Sequence, residues 1–165
     1  MPPSEHVQPL EELSLEGGYF TVEVIRDRGN GPEVIRRVDG KNIVLNAGKK
    51  QTFRMSSGLS SKAWKWFQLG KSSAAVSSGD AGVKPAITST IKTNSSQTMS
   101  GRTYTIVVSY PSGAGSLSAA AIKEFAVNNT LTSASHTSLC HALISPVVAK
   151  TTADKLKITY NIRIT

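Results

Sequence analysis

Apolar and polar residues alternate most regularly in two stretches of the C-terminal part of the chain. In residues 102–110, apolar side chains stand at every second position from Tyr104 to Tyr110, and in residues 156–164 they alternate with lysine, threonine, asparagine and arginine. A period of two predicts a β-strand with one face on a core and the other toward solvent. We expect the inner faces to include Tyr104, Ile106, Val108, Leu156, Ile158, Tyr160 and Ile162.

Turn-forming residues and further apolar runs complete the predicted set of about eight strands. Residues 18–26 and 33–38 flank a segment of turn formers, which indicates a β-hairpin. More strands are expected in residues 63–69, 85–93, 119–127 and 137–148. One helix is expected at most, over residues 46–57, with Asn46 as its N-cap and Gly58 at its end. The pattern predicts a mainly β fold, an antiparallel β-sandwich of jelly-roll type with at most one short helix.

The chain length and the prolines indicate the domain organisation. The chain has 165 residues, which fits one domain. Pro2, Pro3 and Pro9 interrupt backbone hydrogen bonding, so residues 1–17 are predicted to form an extended N-terminal arm and residues 18–165 a single β-sandwich domain. We expect the arm to become ordered only against a neighbouring subunit.

Charge is distributed unevenly along the chain. Residues 1–40 contain eight acidic and four basic residues, whereas residues 41–165 contain three acidic and fifteen basic ones, so the two parts carry −4 and +12. A basic body indicates an acidic partner, which could be nucleic acid, a membrane surface or a protein surface. No apolar run is long enough to span a membrane and the acidic N-terminus is unlike a secretory signal, so we expect no membrane partner.

Motifs for catalysis or ligand binding are incomplete in this sequence. Residues 70–72 read Gly-Lys-Ser, but a phosphate-binding loop also needs a glycine where Lys65 stands. Cys140 and His141 are adjacent in a predicted strand and point to opposite faces, which does not suit a nucleophile and its base. His136 and His141 have no nearby carboxylate in the sequence to complete a metal site. We expect no catalytic residue, cofactor or metal, with Cys140 buried and His141 partly exposed.

The three acidic residues of the basic body are far apart in sequence. They are Asp80, Glu124 and Asp154. Surface or structural ion pairing is their expected role. An enzyme would need a convergent polar site, which these separated positions do not supply.

Residues 62–67 combine cations with aromatic rings, as surfaces that bind single-stranded nucleic acid do. The residues concerned are Lys62, Trp64, Lys65, Trp66 and Phe67. In a strand, Trp64 and Trp66 share one face, where burial of the pair is the commoner outcome, while Lys65 and Phe67 lie on the other. We therefore favour core packing of the tryptophans and keep nucleic-acid binding as an alternative.

Four segments, in order, resemble a group of small structural proteins of tailed bacteriophages. They are residues 40–48 (GKNIVLNAG), 66–70 (WFQLG), 121–124 (AIKE) and 145–160 (SPVVAKTTADKLKITY). In that group the first segment resembles a strand that runs into a helix, the second a strand before an exposed loop, and the last a closing strand. The resemblance spans residues 18–165. This sequence departs from the pattern of the group after Gly48, where similar proteins carry a leucine-rich helix and this chain has Lys49, Lys50 and Gln51.

The resemblance implies a virion component without catalytic activity. Within the group we favour a capsid cement (decoration) protein that binds and stabilises the major capsid protein shell, with a tail, collar or fibre-associated protein as the alternative. A basic body suits a negatively charged shell, and an arm can lie across neighbouring subunits. The expected partners are the major capsid protein and neighbouring copies of this chain in a trimer or other ring. The implied location is the virion, assembled in the cytoplasm of the bacterial host.

The residues expected to contact these partners belong to the arm and to the basic part of the body. They are Pro2, Pro3, Pro9, Leu10, Leu13, Lys49, Lys50, Arg54, Lys62 and Lys65. Exposed ion pairs contribute about 0 to 1 kcal/mol each. Charge is therefore expected to set the orientation and the rate of binding to the partner, while buried apolar contact supplies most of the affinity.

Overall fold

Ten strands and one helix are formed by the residues that the structure describes. In this computed structural model those residues are 15–58, 63–83, 87, 90–113, 117, 121–130 and 137–164. The strands are β1 (Leu15–Asp27), β2 (Pro32–Lys41), β3 (Ile43–Val44), β4 (Trp66–Gly70), β5 (Lys92–Thr93), β6 (Ser96–Ser100), β7 (Thr103–Tyr110), β8 (Ile122–Asn128), β9 (Ser138–Val148) and β10 (Asp154–Ile164). The helix α1 (Asn46–Ser56) follows β3. Within the described ranges, no helix has the length and apolar character needed to cross a membrane.

The strands form two antiparallel sheets of five. Sheet A has the order β2-β1-β10-β7-β6, and sheet B has the order β3-β9-β8-β4-β5. The two ends of the described chain meet in sheet A, where Val22 of β1 lies opposite Ile158 of β10. The antiparallel β-sandwich is thus confirmed, while its jelly-roll type stays a prediction. Strand β1 begins at Leu15, inside the predicted arm, and residues 1–14 lie outside the described residues.

Aromatic side chains from both sheets meet at the centre of the core. The ring centroid of Phe125 on β8 is 5.1 Å from that of Phe20 on β1. It is 6.1 Å from that of Phe67 on β4 and 6.1 Å from that of Tyr160 on β10. The predicted inner faces are confirmed, because six of their residues are buried and Tyr104 is half-buried. The six are Ile106, Val108, Leu156, Ile158, Tyr160 and Ile162.

Sheet B is covered on both faces. Phe125 points into the core, yet Glu124 and Ala126 on the opposite face of β8 are buried as well. Part of this outer face lies under α1, whose Gly48 is close to the backbone of Leu139. Residues 71–83 cover another part, since the backbone N–H of Ser72 donates to Glu124 and the hydroxyl of Ser138 donates to the carbonyl of Ala81. Residues 71–83, which follow the second segment of the resemblance, are therefore irregular but packed against the sheet.

Among the described residues none covers the outer face of sheet A, which is mostly polar. Its central strands contribute the half-buried Thr21, Thr105 and Thr159. On the same face, the Nζ of Lys157 donates to Glu23 at 3.1 Å. This asymmetry explains the sequence pattern: β10 alternates clearly because only one face is covered, whereas β8 lacks such alternation because both of its faces are covered.

Two predicted elements are confirmed in position and corrected in detail. The helix is present, but its N-cap is Leu45 and makes no side-chain capping bond, so the prediction of Asn46 as N-cap is wrong. Gly58, with φ of 70°, follows the helix as expected. Of the strand predicted over residues 85–93, the described part contains β5, while residues 85, 86, 88 and 89 lie outside the described residues.

Candidate attachment surface

The exposed face of α1 carries three of the cations predicted to contact a partner. Lys49, Lys50 and Arg54 are all exposed, and the helix contains no acidic residue. Residues four apart lie one above the other on a helix, so Lys49 aligns with Phe53 and Lys50 with Arg54. The Phe53 side chain is 64% exposed. This basic face of α1 therefore presents three positive charges around one aromatic ring.

Two contacts fix α1 on the outer face of sheet B. Gly48 has no side chain, and a Cβ at this position would lie 2.6 Å from the Cα of Leu139. The helix can approach β9 so closely only because this residue is glycine. One turn later, the hydroxyl of Thr52 donates to the carbonyl of Gly48 and accepts a hydrogen bond from Nε1 of Trp64 at 3.1 Å. The basic face of α1 is therefore held in one orientation.

The other predicted contact residues are placed differently or lie outside the described part of the chain. Lys65 is exposed, and its backbone N–H donates to Asn128. Its Nζ lies 5.7 Å from the ring centroid of Trp66. The structure thus groups Lys49, Lys50 and Arg54 on one helix and puts Lys65 on a separate segment. Outside the described residues are Pro2, Pro3, Pro9, Leu10, Leu13 and Lys62.

The predicted faces of the aromatic segment are wrong. Phe67 is fully buried in the core, whereas Trp66 is half-buried on the opposite side of β4. Trp64 precedes the strand and is buried beside α1. The two-residue alternation fails because the ladder begins only at Trp66, so Trp64 does not share its face. Because Trp64 and Phe67 are buried, two of the three rings are not available to stack on bases, as the alternative of nucleic-acid binding would require.

A buried polar cluster on the outer face of sheet B joins residues that are far apart in sequence. Nε2 of His141 lies 2.5 Å from Oε2 of Glu124, and Nδ1 of His141 lies 3.1 Å from Oδ2 of Asp80. His141 is only 6% exposed, which corrects the expectation of a partly exposed histidine. The imidazole therefore bridges the two carboxylates, with one ring nitrogen facing each. Asp80 and Glu124 thus make structural contacts through His141.

The surroundings of this cluster hold residues 71–83 to the sheet. The second oxygen of Glu124 accepts the backbone N–H of Ser72. The backbone N–H of Ser77 donates to Asp80 and, with His141, holds the pKa of that carboxyl below its usual range. Cys140 points the other way, into the core, where burial raises the pKa of its thiol to about 12. Both nitrogens of His141 are engaged, and the adjacent thiol lies on the opposite face, so the cluster acts in packing.

No metal-binding arrangement is found among the residues described. In this part of the chain, no group of three or more histidine, cysteine, aspartate or glutamate residues has an arrangement that could hold a metal ion. The Asp80–His141–Glu124 cluster does not qualify because the imidazole stands between the two carboxylates and uses both of its nitrogens. Sequence reasoning missed this cluster because it depends on the register of β8 against β9. The only signal was that a histidine stood in a strand otherwise composed of small and apolar residues.

A second polar cluster closes the turn between β9 and β10. Asp154 is 1% exposed and accepts hydrogen bonds from the guanidinium of Arg26, at 2.7 and 3.1 Å, and from the N–H and hydroxyl of Thr151. The Arg26 bond is the largest cause that holds the pKa of Asp154 well below its usual range. Nearby, the buried Lys150 donates to the carbonyls of Thr151 and Asp154. The last segment of the resemblance thus contains a turn fixed by its own charged side chains.

Comparison of the chain with protein-family models, with curated proteins and with solved structures gives no match.

Proposed function

We propose that this chain is a non-enzymatic structural protein of the tailed-bacteriophage virion, a capsid cement (decoration) protein that binds and stabilises the major capsid protein shell. The observation that carries the proposal is the basic face of α1. Lys49, Lys50 and Arg54 lie together on a helix without acidic residues, beside the exposed Phe53. A surface of this kind suits an acidic partner, in agreement with the resemblance of four sequence segments to phage structural proteins.

The way in which α1 is held supports a role in docking. The close approach of Gly48 to Leu139 and the bond from Trp64 to Thr52 fix the helix before any partner arrives. A preformed patch loses less conformational entropy on binding than a patch on a free loop. Phe53 can supply buried apolar area at the centre, while the three cations set the orientation.

The test is co-sedimentation of the purified full chain with phage particles that lack it. Lys49→Glu, Lys50→Glu and Arg54→Glu are combined in one variant and compared with Arg28→Glu, Arg36→Glu and Lys155→Glu, which change three exposed cations elsewhere by the same charge. Because each exposed pair contributes about 0 to 1 kcal/mol, we expect the first variant to bind at least about tenfold more weakly at low salt. The control variant should keep most of its affinity.

If both variants lose the same affinity, the loss is a general effect of charge and α1 is not the docking element. Gold labelling of the bound chain then separates the two virion locations. Label distributed over the head supports the cement protein. Label confined to the tail, collar or fibres supports the alternative of a tail-associated structural protein.

A further inference from the structure

A groove of ≈ 500 Å³ lies on sheet A at the end where β1 begins. It is lined by Tyr19, Arg102, Thr103, Asn161 and Arg163. The register across three strands places these residues together, since Tyr19 lies opposite Asn161 and Arg163 lies opposite Thr103. Arg102 belongs to the turn between β6 and β7. The groove is on the opposite sheet from α1 and therefore forms a separate surface.

Positive charge collects at this groove. Two of its lining residues, Arg102 and Arg163, are exposed arginines. Nζ of Lys41 adds a third cation, 5.7 Å from the ring centroid of Tyr19. Among the side chains that the structure describes, none of the three cations has a carboxylate within ion-pair distance; the side chain of Glu16, which lies opposite Arg163 in the register, is not among them. Four other exposed or half-buried cations do have such a carboxylate. Those four are Arg26, Arg28, Arg37 and Lys157.

The polar groups of the groove suit a peptide that carries carboxylates. Arginine offers a planar pair of N–H groups that matches a carboxylate with two parallel hydrogen bonds. Oδ1 of Asn161 accepts from the hydroxyl of Thr105 at 2.6 Å, which orients the amide and leaves its Nδ2 as a donor. Tyr19 is 58% exposed and provides a flat apolar surface beside these donors. The combination favours an acidic peptide segment over a compact ion.

The chain itself supplies such a segment. Residues 1–14 contain Glu5, Glu11 and Glu12 and no lysine or arginine. They precede Leu15, which enters sheet A opposite Ile164, one position beyond Arg163. We infer that this groove binds the acidic N-terminal segment, residues 5–12, of a second copy of the chain.

A second copy is the occupant because of the position of β1 in the sheet. Strand β1 runs from the groove end of sheet A toward the other end, so a segment before Leu15 would have to reverse direction to lie over the groove of its own chain. Exchange between two copies needs no such reversal, and charge complementarity between Glu11, Glu12 and the two arginines orients it. The inference concerns self-association and does not depend on binding to a virion, so either can fail without the other.

The test uses the full chain and reversal of charge on each side of the contact. One variant combines Arg102→Glu with Arg163→Glu, a second combines Glu11→Lys with Glu12→Lys, and a third carries all four changes. Sedimentation at low salt measures association as a function of protein concentration. We expect each two-residue variant to associate at least about tenfold more weakly than the unchanged chain and the four-residue variant to regain association.

A protease that cleaves after glutamate gives the second measurement. In the unchanged chain, cleavage at Glu11 and Glu12 should slow as the protein concentration rises, and the Arg102→Glu and Arg163→Glu variant should lose that protection. The matched control is Arg28→Glu with Arg36→Glu, at the opposite end of sheet A, which should associate as the unchanged chain does.

Three results would overturn the inference. The first is an unchanged chain that stays monomeric at every concentration. The second is protection that does not depend on concentration, which would assign the groove to the chain's own segment. The third is an equal effect of the control variant, or failure of the four-residue variant to regain association, since either would show that the two charge sets do not meet. Thermal unfolding of each variant establishes that the fold is retained.

Discussion

Glu124 and His141 lie 2.5 Å apart, from Oε2 to Nε2, on neighbouring strands at the outer face of sheet B. Glu124 is only 1% exposed. Its other oxygen accepts the backbone N–H of Ser72, and the other nitrogen of His141 contacts Asp80. The pair therefore connects the sheet to both ends of an irregular segment that covers it.

Replacement of His141 by alanine should release residues 71–83 and lower the free energy of unfolding. The change removes the group that bridges the buried Glu124 carboxylate and Asp80, and the loss of one partner of a buried polar group costs about 1 to 3 kcal/mol. Hydrogen–deuterium exchange should accelerate over residues 71–83 first. Ser77→Ala is the control, because the backbone N–H of Ser77 still donates to Asp80, and its effect should stay below about 1 kcal/mol. Equal effects of the two changes would show that His141 does not hold the segment.

The alternating strands could be predicted from the sequence because each has one face buried in the core and the other toward solvent. Leu156, Ile158 and Tyr160 are buried in the structure as their spacing indicates. Strand β8 has no such alternation, and the burial of Glu124 could not be predicted because its covering segment and its partner His141 come from elsewhere in the chain. Pairing between distant strands is not encoded in a local period. The same limit explains why the groove on sheet A, assembled from three strands and a turn, was not found from the sequence.

Ile158→Ala tests the predicted inner face of β10. Ile158 is completely buried and lies opposite Val22 of β1 and Val108 of β7. The removal of buried methyl groups without collapse of the site should lower the free energy of unfolding by about 2 to 4 kcal/mol. Chemical denaturation measures this loss. Thr159→Ala, on the open outer face, should change stability by less than about 0.5 kcal/mol. A loss that small for Ile158→Ala would place the residue outside the core.

Asp154 should make the protein sensitive to acid. Its pKa is held below the usual range by Arg26 and by the N–H and hydroxyl of Thr151. A group with a lower pKa in the folded than in the unfolded state contributes stability above its unfolded pKa, about 3.9, and loses that contribution as pH falls below it. Unfolding should therefore bind a proton at Asp154 in the pH range between its folded and its unfolded pKa, and the uptake should approach one proton about one pH unit below the unfolded pKa.

Denaturation curves at several pH values measure this linkage. In Asp154→Asn the decline in stability toward low pH should be shallower, and stability near neutral pH should already be reduced because the bonds to Arg26 and Thr151 are altered. Arg26→Met should reduce the same slope in part, since the Thr151 bonds remain. An unchanged slope in Asp154→Asn would mean that other carboxyl groups account for acid unfolding.

In Gly48→Ala, helix propensity and steric fit of α1 have opposite effects on the stability of the protein. Alanine in a helix interior is favoured over glycine by about 1 kcal/mol, so propensity alone predicts a more stable protein. At Gly48, however, the new Cβ would lie 2.5 Å from the carbonyl oxygen and 2.6 Å from the Cα of Leu139, and a backbone cannot move aside as a flexible side chain can. Overpacking of this kind costs about 1 to 3 kcal/mol, so destabilisation should prevail.

The intrinsic fluorescence of Trp64 reports whether Gly48→Ala displaces α1 from β9. Displacement of α1 would break the bond from Trp64 to Thr52 and expose the indole, which should shift its emission to longer wavelength. Gly58→Ala is the matched control: a Cβ there meets nothing within 4 Å, and the cost is limited to the positive φ of 70°, about 1 kcal/mol, with no change in emission. If Gly48→Ala instead stabilises the protein and leaves the emission unchanged, α1 does not lie against β9, and the basic face that it carries has no fixed orientation from which to dock.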